Sequence, residues 1–120
     1  MKYMIMMFGE AATMMETQPK EWIVKMIDFM TQLSQDLNDA GELVTAEGLA
    51  DGTQAKTVTY RDGSTVVTDG PFAESKESVI GFWIVDVEGE ARALEIATRV
   101  VDFTHGPIEV RPVMDAPPEV

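Results

Sequence analysis

Apolar positions fall along this chain in two distinct patterns. The first is the short unbroken run. Lys2 to Phe8 (KYMIMMF) is apolar at both parities, with Tyr3, Ile5 and Met7 on one side and Met4, Met6 and Phe8 on the other. Val79 to Val87 (VIGFWIVDV) repeats this, setting Val79, Gly81, Trp83 and Val85 against Ile80, Phe82 and Ile84. A strand with one wet face alternates apolar with polar residues, so both runs predict strands covered on two sides.

The second pattern has helical period. Trp22, Met26, Phe29, Leu33 and Leu37 recur every three or four residues, widened by Ile23, Ile27 and Met30. This predicts a long amphipathic helix. Pro19 opens it as the first helical residue, Thr17 or Gln18 caps it, and Gly41 ends it. A second helix is expected over Glu90–Phe103, burying Ala93, Leu94, Ala97, Val100 and Val101, and Gly106-Pro107 stop it. Gly9–Gln18 reads as a loop carrying Met14 and Met15.

Shorter segments complete the order. Glu42–Gly48 reads as a strand. Thr57–Tyr60 and Thr65–Thr68 are β-branched and alternate around Arg61-Asp62-Gly63-Ser64, whose Asp-Gly pair predicts a tight hairpin. Asp69-Gly70-Pro71-Phe72 is a turn by composition, and Ala73–Ser78 is polar. Ile108–Met114 is a last strand, with Pro112 favouring an edge or a strand end. Without the inserted hairpin the order is strand-helix-strand-strand-helix-strand, the ferredoxin-like split βαβ arrangement of an α+β fold. Residues 1–115 form one domain, and 116–120 a tail with two prolines.

Two helices cover one face of such a sheet, yet the two apolar runs have two faces to hide. An apolar face of several hundred Å2 drives association, so a homodimer is expected, its sheets face to face or curled into a shared α/β barrel. The alternative is that the 9–18 loop and the 57–68 hairpin fold over the sheet.

Composition narrows the chemistry. The 120 residues carry 21 acidic against nine basic side chains, a net charge of −12. Such a field repels nucleic acid and anionic membranes. No run of roughly 20 apolar residues offers a membrane span and no signal segment opens the chain, so a cytoplasmic setting is expected. Absence of Cys removes disulfides, thiolate nucleophiles and Cys-based zinc sites, and one His (His105) builds no His-rich site. No metal and no cofactor are expected. Six of nine Met residues lie in the first 15 positions. They suit core packing or an adaptable apolar pocket near the end of the first strand.

At Asp69-Gly70-Pro71-Phe72-Ala73-Glu74-Ser75-Lys76-Glu77 the chain resembles YCII-related proteins of the DGPF-motif type. The resemblance runs from Met1-Lys2-Tyr3-Met4 through Glu47-Gly48-Leu49 and Arg61-Asp62-Gly63 to Gly81-Phe82-Trp83 and Ile108–Val113. It implies a ferredoxin-like fold assembled as a dimeric α/β barrel. It also implies an unsettled activity, with a proposed link to sigma-factor-dependent transcription. More distant members are small-molecule enzymes using a His–Asp pair. Here the expected His near the start of the first helix is replaced by Gln18-Pro19-Lys20-Glu21-Trp22, so that dyad does not carry over.

Candidate site residues follow. Asp69 ends an apolar strand and starts a turn; it serves either as an Asx-type turn residue or, buried in a cleft, as a general base. Phe72 lies beside it. Glu74, Lys76 and Glu77 form a charged group that could hold a polar ligand or stay a solvated loop. Glu47 approaches from a neighbouring strand, and Arg111 could pair with Glu47 or Asp69. His105, after the second helix, reads as a cap. Two functions remain: a dimeric accessory or small-ligand-binding protein, or a cofactor-free small-molecule enzyme with Asp69 as base.

Overall fold

The computed structural model describes residues 1–72 and 78–118. In chain order the elements are β1 (Lys2–Gly9), α1 (Ala11–Thr17), α2 (Lys20–Asp39), β2 (Leu43–Gly48), a 3-10 turn (Gly52–Gln54), β3 (Lys56–Arg61), β4 (Ser64–Asp69), β5 (Ser78–Asp86), α3 (Glu90–Thr104) and β6 (Ile108–Pro112). β2, β5, β1 and β6 form one antiparallel sheet in that spatial order, with the two most apolar strands in the middle. This α+β topology is compatible with a ferredoxin-like fold. Among the described residues β3 and β4 pair with each other in a second sheet.

The period-2 and period-3.6 patterns meet in one core. Tyr3, Ile5, Met7, Trp83 and Val85 point to the helix side of the sheet. Leu33 and Leu37 of α2 pack onto them, with Ala93, Ile96, Ala97 and Val100 of α3. Ile5, Leu33, Leu37, Val85, Ile96 and Val100 have no exposed surface. Each of these larger side chains contributes about 1.5–3 kcal/mol by leaving water. Phe103 joins the helices, stacking on Phe29 at 4.8 Å and meeting Trp22 at 5.7 Å.

The opposite face carries Met4, Met6, Phe82 and Ile84, all half-buried, and among the described residues no helix lies on it. Its edges are polar: Thr45 and Glu47 on β2, Glu109 and Arg111 on β6.

Several expectations are corrected. The 9–18 segment is not a loop throughout, because α1 forms within it. Ala, Met and Glu favour helix, Met14 N–H donates to the Glu10 carbonyl at 3.0 Å, and Thr13 Oγ1 donates to Glu10 Oε2 at 2.6 Å. Thr17 does not cap α2; its hydroxyl donates to the Thr13 carbonyl within α1 at 2.7 Å. Pro19 is the residue before the helix rather than its first, extended at ψ 147° while its carbonyl already accepts from Ile23 N–H. Ile27, Leu94 and Val101 are exposed, and Ile96 takes the buried place on α3. Finally, Met7 pairs with Gly81 but Phe8 with Val79, so Ile80 is bulged out of register. The bulge turns Ile80 from the bare face to the core, where it packs.

Three punctuation marks sit where expected. The α2 terminus closes as a Schellman motif: Glu42 N–H donates to Leu37 O at 2.8 Å and Gly41 N–H to Asn38 O at 3.0 Å, with Gly41 at φ 73°. Asp62 and Gly63, at φ 51° and 83°, make the two-residue hairpin turn. His105 is the left-handed cap of α3 at φ 59°, its N–H donating to Val101 O.

Candidate functional site

Between α1, α2 and the β2–β5–β1 part of the sheet lies a cavity of about 310 Å3. Its wall is built from residues whose secondary structure fixes their direction. β1 supplies Met7, which alternation points to the helices. α1 supplies Met14 and Met15. α2 supplies Met26, Met30 and Ser34, four residues apart and so aligned on one face. β2 contributes Ala46 and Gly48, and β5 contributes Ile80, Gly81 and Trp83. Five thioethers and an indole line one space, and Met15, 60% exposed, stands at its rim. Among the described lining side chains on the helix side, the Ser34 hydroxyl and the Trp83 indole N–H are the polar groups. Among the described residues no Lys, Arg or His lines the cavity.

An apolar cavity thus lies near the end of the first strand, but Asp69 and Phe72, expected beside the pocket, are not among its described lining residues. Met26, Met30, Ser34 and Trp83 were not singled out for it. The legible signal was Ser34 breaking an otherwise apolar α2 stripe one turn after Met30.

The other candidates are spread over the molecule. Glu47 borders the cavity through β2, but its pairing with Phe82 sets its side chain on the bare face, where Thr45 Oγ1 donates to Glu47 Oε1 at 3.0 Å. Asp69 ends β4, its side chain 88% exposed and ion-paired with Lys56 on β3. Phe72 is exposed just beyond it. Glu74, Lys76 and Glu77 lie outside the described residues. Arg111 pairs with neither Glu47 nor Asp69, as it was expected to; its Nη2 meets Glu109 Oε2 at 2.7 Å. The reason is sheet order: β5 and β1 separate β6 from β2, which sets the two edges roughly 14 Å apart at ordinary strand spacing.

The strongest electrostatics lie away from the cavity. Arg92 of α3 grips Glu42 with two hydrogen bonds, Nε to Oε2 at 2.9 Å and Nη2 to Oε1 at 2.8 Å, and reaches Glu95 at 3.1 Å. These bonds hold the Glu42 carboxyl below the usual glutamate range and raise the Arg92 guanidinium. Asp36 is lowered by its hydrogen bond from Gln32, then by Arg99 at 3.0 Å. Both networks tie the helices to the body and to each other.

The described residues thus make an α+β domain with one apolar sheet face turned away from the helices and a thioether-lined cavity on the other. Comparison with known proteins places it further. The profile of the YCII-related domain matches residues 1–117, and the chain belongs to that family. An uncharacterized protein of Rhizobium meliloti (strain 1021) is 38% identical over 77 residues, 62% of either chain. The match thus spans under two thirds of that relative's length.

Proposed function

We propose that this YCII-related chain is a homodimeric small-ligand-binding protein of the DGPF type. The observation that carries the reading is the cavity: about 310 Å3 walled by five methionines and Trp83 falls within the size range of small-molecule sites, and flexible thioethers adapt to a guest. The homodimer rests on the bare sheet face. A second copy turned about an axis parallel to the strands lays the β6 edge over the partner's β2 edge, so that Arg111 and Glu47 become neighbours of opposite sign. The DGPF resemblance at Asp69–Phe72 supports a cytoplasmic accessory role in sigma-factor-dependent regulation. Among the described residues no helix is long and apolar enough to cross a membrane.

A second reading keeps Asp69 as general base of a cofactor-free small-molecule enzyme, with Phe72, Glu74, Lys76, Glu77, Glu47 and Arg111 as ligand contacts. It rests on the motif resemblance; the Asp69 carboxylate itself is exposed, and its pair with Lys56 favours the ionised form over proton uptake.

One screen separates the two. Metabolites are tested by thermal shift on the wild type, on Ala46→Leu, which fills the cavity, and on Asp69→Asn. A hit whose stabilisation is lost in Ala46→Leu and kept in Asp69→Asn supports the cavity. Loss confined to Asp69→Asn, with turnover of that hit by the wild type, moves the site to the hairpin and overturns the first reading.

A further inference from the structure

The chemistry of the cavity wall selects among small molecules. Thioether sulfur makes favourable contacts with aromatic rings, often at their edge, and five such sulfurs surround this space with the Trp83 indole. Size sets the next limit. A dry cavity of roughly 150 Å3 takes benzene, and this one, at about 310 Å3, has about twice that volume. Charge sets the third. Among the described residues no cationic side chain lines the wall, Glu47 turns its carboxylate to the other face of β2, and the whole chain carries −12. An anion entering here loses its hydration and gains no counter-charge. Two polar side chains are at hand, the Trp83 indole N–H, which only donates, and the Ser34 hydroxyl, which can donate and accept and has no hydrogen-bond partner among the described residues.

We propose that the cavity binds a neutral, flat aromatic molecule of about two fused rings, with one hydroxyl or amine on its edge hydrogen-bonded to Ser34. This rests on the reading above that the cavity is the ligand site, and it adds the chemical class.

The test uses 2-naphthol, its anionic counterpart 2-naphthoate, and 1-decanol as a neutral aliphatic of similar bulk. Binding is measured by calorimetry, and location by methyl resonances of 13C-methyl-methionine protein. Expected are at least about tenfold tighter binding of 2-naphthol than of either comparison compound, and ring-current shifts at Met7, Met14, Met26 and Met30. Met1 and Met114, which lie outside the cavity wall, should not move. Ser34→Ala should weaken 2-naphthol by about three- to tenfold while leaving naphthalene binding unchanged. Tighter binding of 1-decanol or 2-naphthoate, with shifts at the same methionines, overturns the aromatic class and leaves the cavity as the site. Absence of any shift at these methionines with all three compounds, while metabolite hits remain sensitive to Ala46→Leu, also overturns the class. Absence of both removes the ligand-site reading itself.

Discussion

Arg92 reaches across 50 residues of sequence to hold both oxygens of Glu42, and so couples α3 to the start of β2. Glu42 is the better buried partner, its side chain 16% exposed against 36% for Arg92. Two-pronged pairing makes this bond stronger than an ordinary surface ion pair. Its pH dependence has a definite sign. The folded Glu42 carboxyl titrates below its ordinary value of 4.5, so the stabilisation is complete above that pH. It is lost as pH falls through the lower, folded value. Asp36, lowered from 3.8, adds a contribution of the same sign in the more acid range. Glu42→Gln should therefore cost about 1 kcal/mol in urea unfolding at pH 7. The gap to wild type should shrink at pH 3. A cost equal at both pH values would show that packing, not charge, holds the pair. Nothing in the sequence announces this contact, because neither residue breaks a local pattern and only the fold brings them together.

At the level of elements, Gly41 shows how a single backbone angle sets where α2 ends and β2 begins. It sits at φ 73° with nothing within 4 Å of where a Cβ would be. Gly41→Ala is thus a backbone experiment without a clash, and should lower unfolding stability by about 1–2 kcal/mol. Equal stability would mean that the terminus re-forms without the left-handed residue. This glycine was legible because it follows a long stripe, and the hairpin was legible because Asp62-Gly63 interrupts two alternating runs. α1 was not: seven residues make less than two turns, too few for a helical stripe to separate from chance. Nor was the reversal of Ile80, since a bulge is a relation between two strands and leaves no mark in either one alone. The cavity was half legible. The crowd of methionines near the N-terminus signalled an adaptable pocket, while Met26, Met30 and Trp83 read as core because the same stripe serves both purposes. The charged candidates were the least legible, since turn residues such as Asp69 look alike whether they fold the chain or do chemistry.

The whole molecule is a slab, 50 × 47 × 18 Å, as thin as one sheet with one layer of helices. Its radius of gyration, 16.6 Å, exceeds the roughly 14 Å expected of a compact chain of this length. In the homodimer we propose, the bare face with Met4, Met6, Phe82 and Ile84 is the seam. Sedimentation equilibrium at micromolar concentration should give twice the chain mass of 13.2 kDa. Phe82→Asp should return it to one chain mass without unfolding. Because each copy carries −12, raising ionic strength from 0.01 to about 0.15 M should tighten the pair by screening repulsion. A species of single mass across this range would remove the assembly.

Among the described residues the β3–β4 hairpin takes its ladder partners from itself alone, and it exposes Val58, Tyr60 and Val67. A two-stranded ribbon of this kind is barely stable by itself in water. It should therefore open and close independently of the rest, and hydrogen exchange can time it. Amides of Val58–Val67 should exchange through local opening, long before those of Trp83 and Val85, which wait for global unfolding. Slow exchange in the ribbon, surviving dilution, would mean that its own chain clamps it. Slow exchange that fades on dilution would mean that the clamp comes from another molecule.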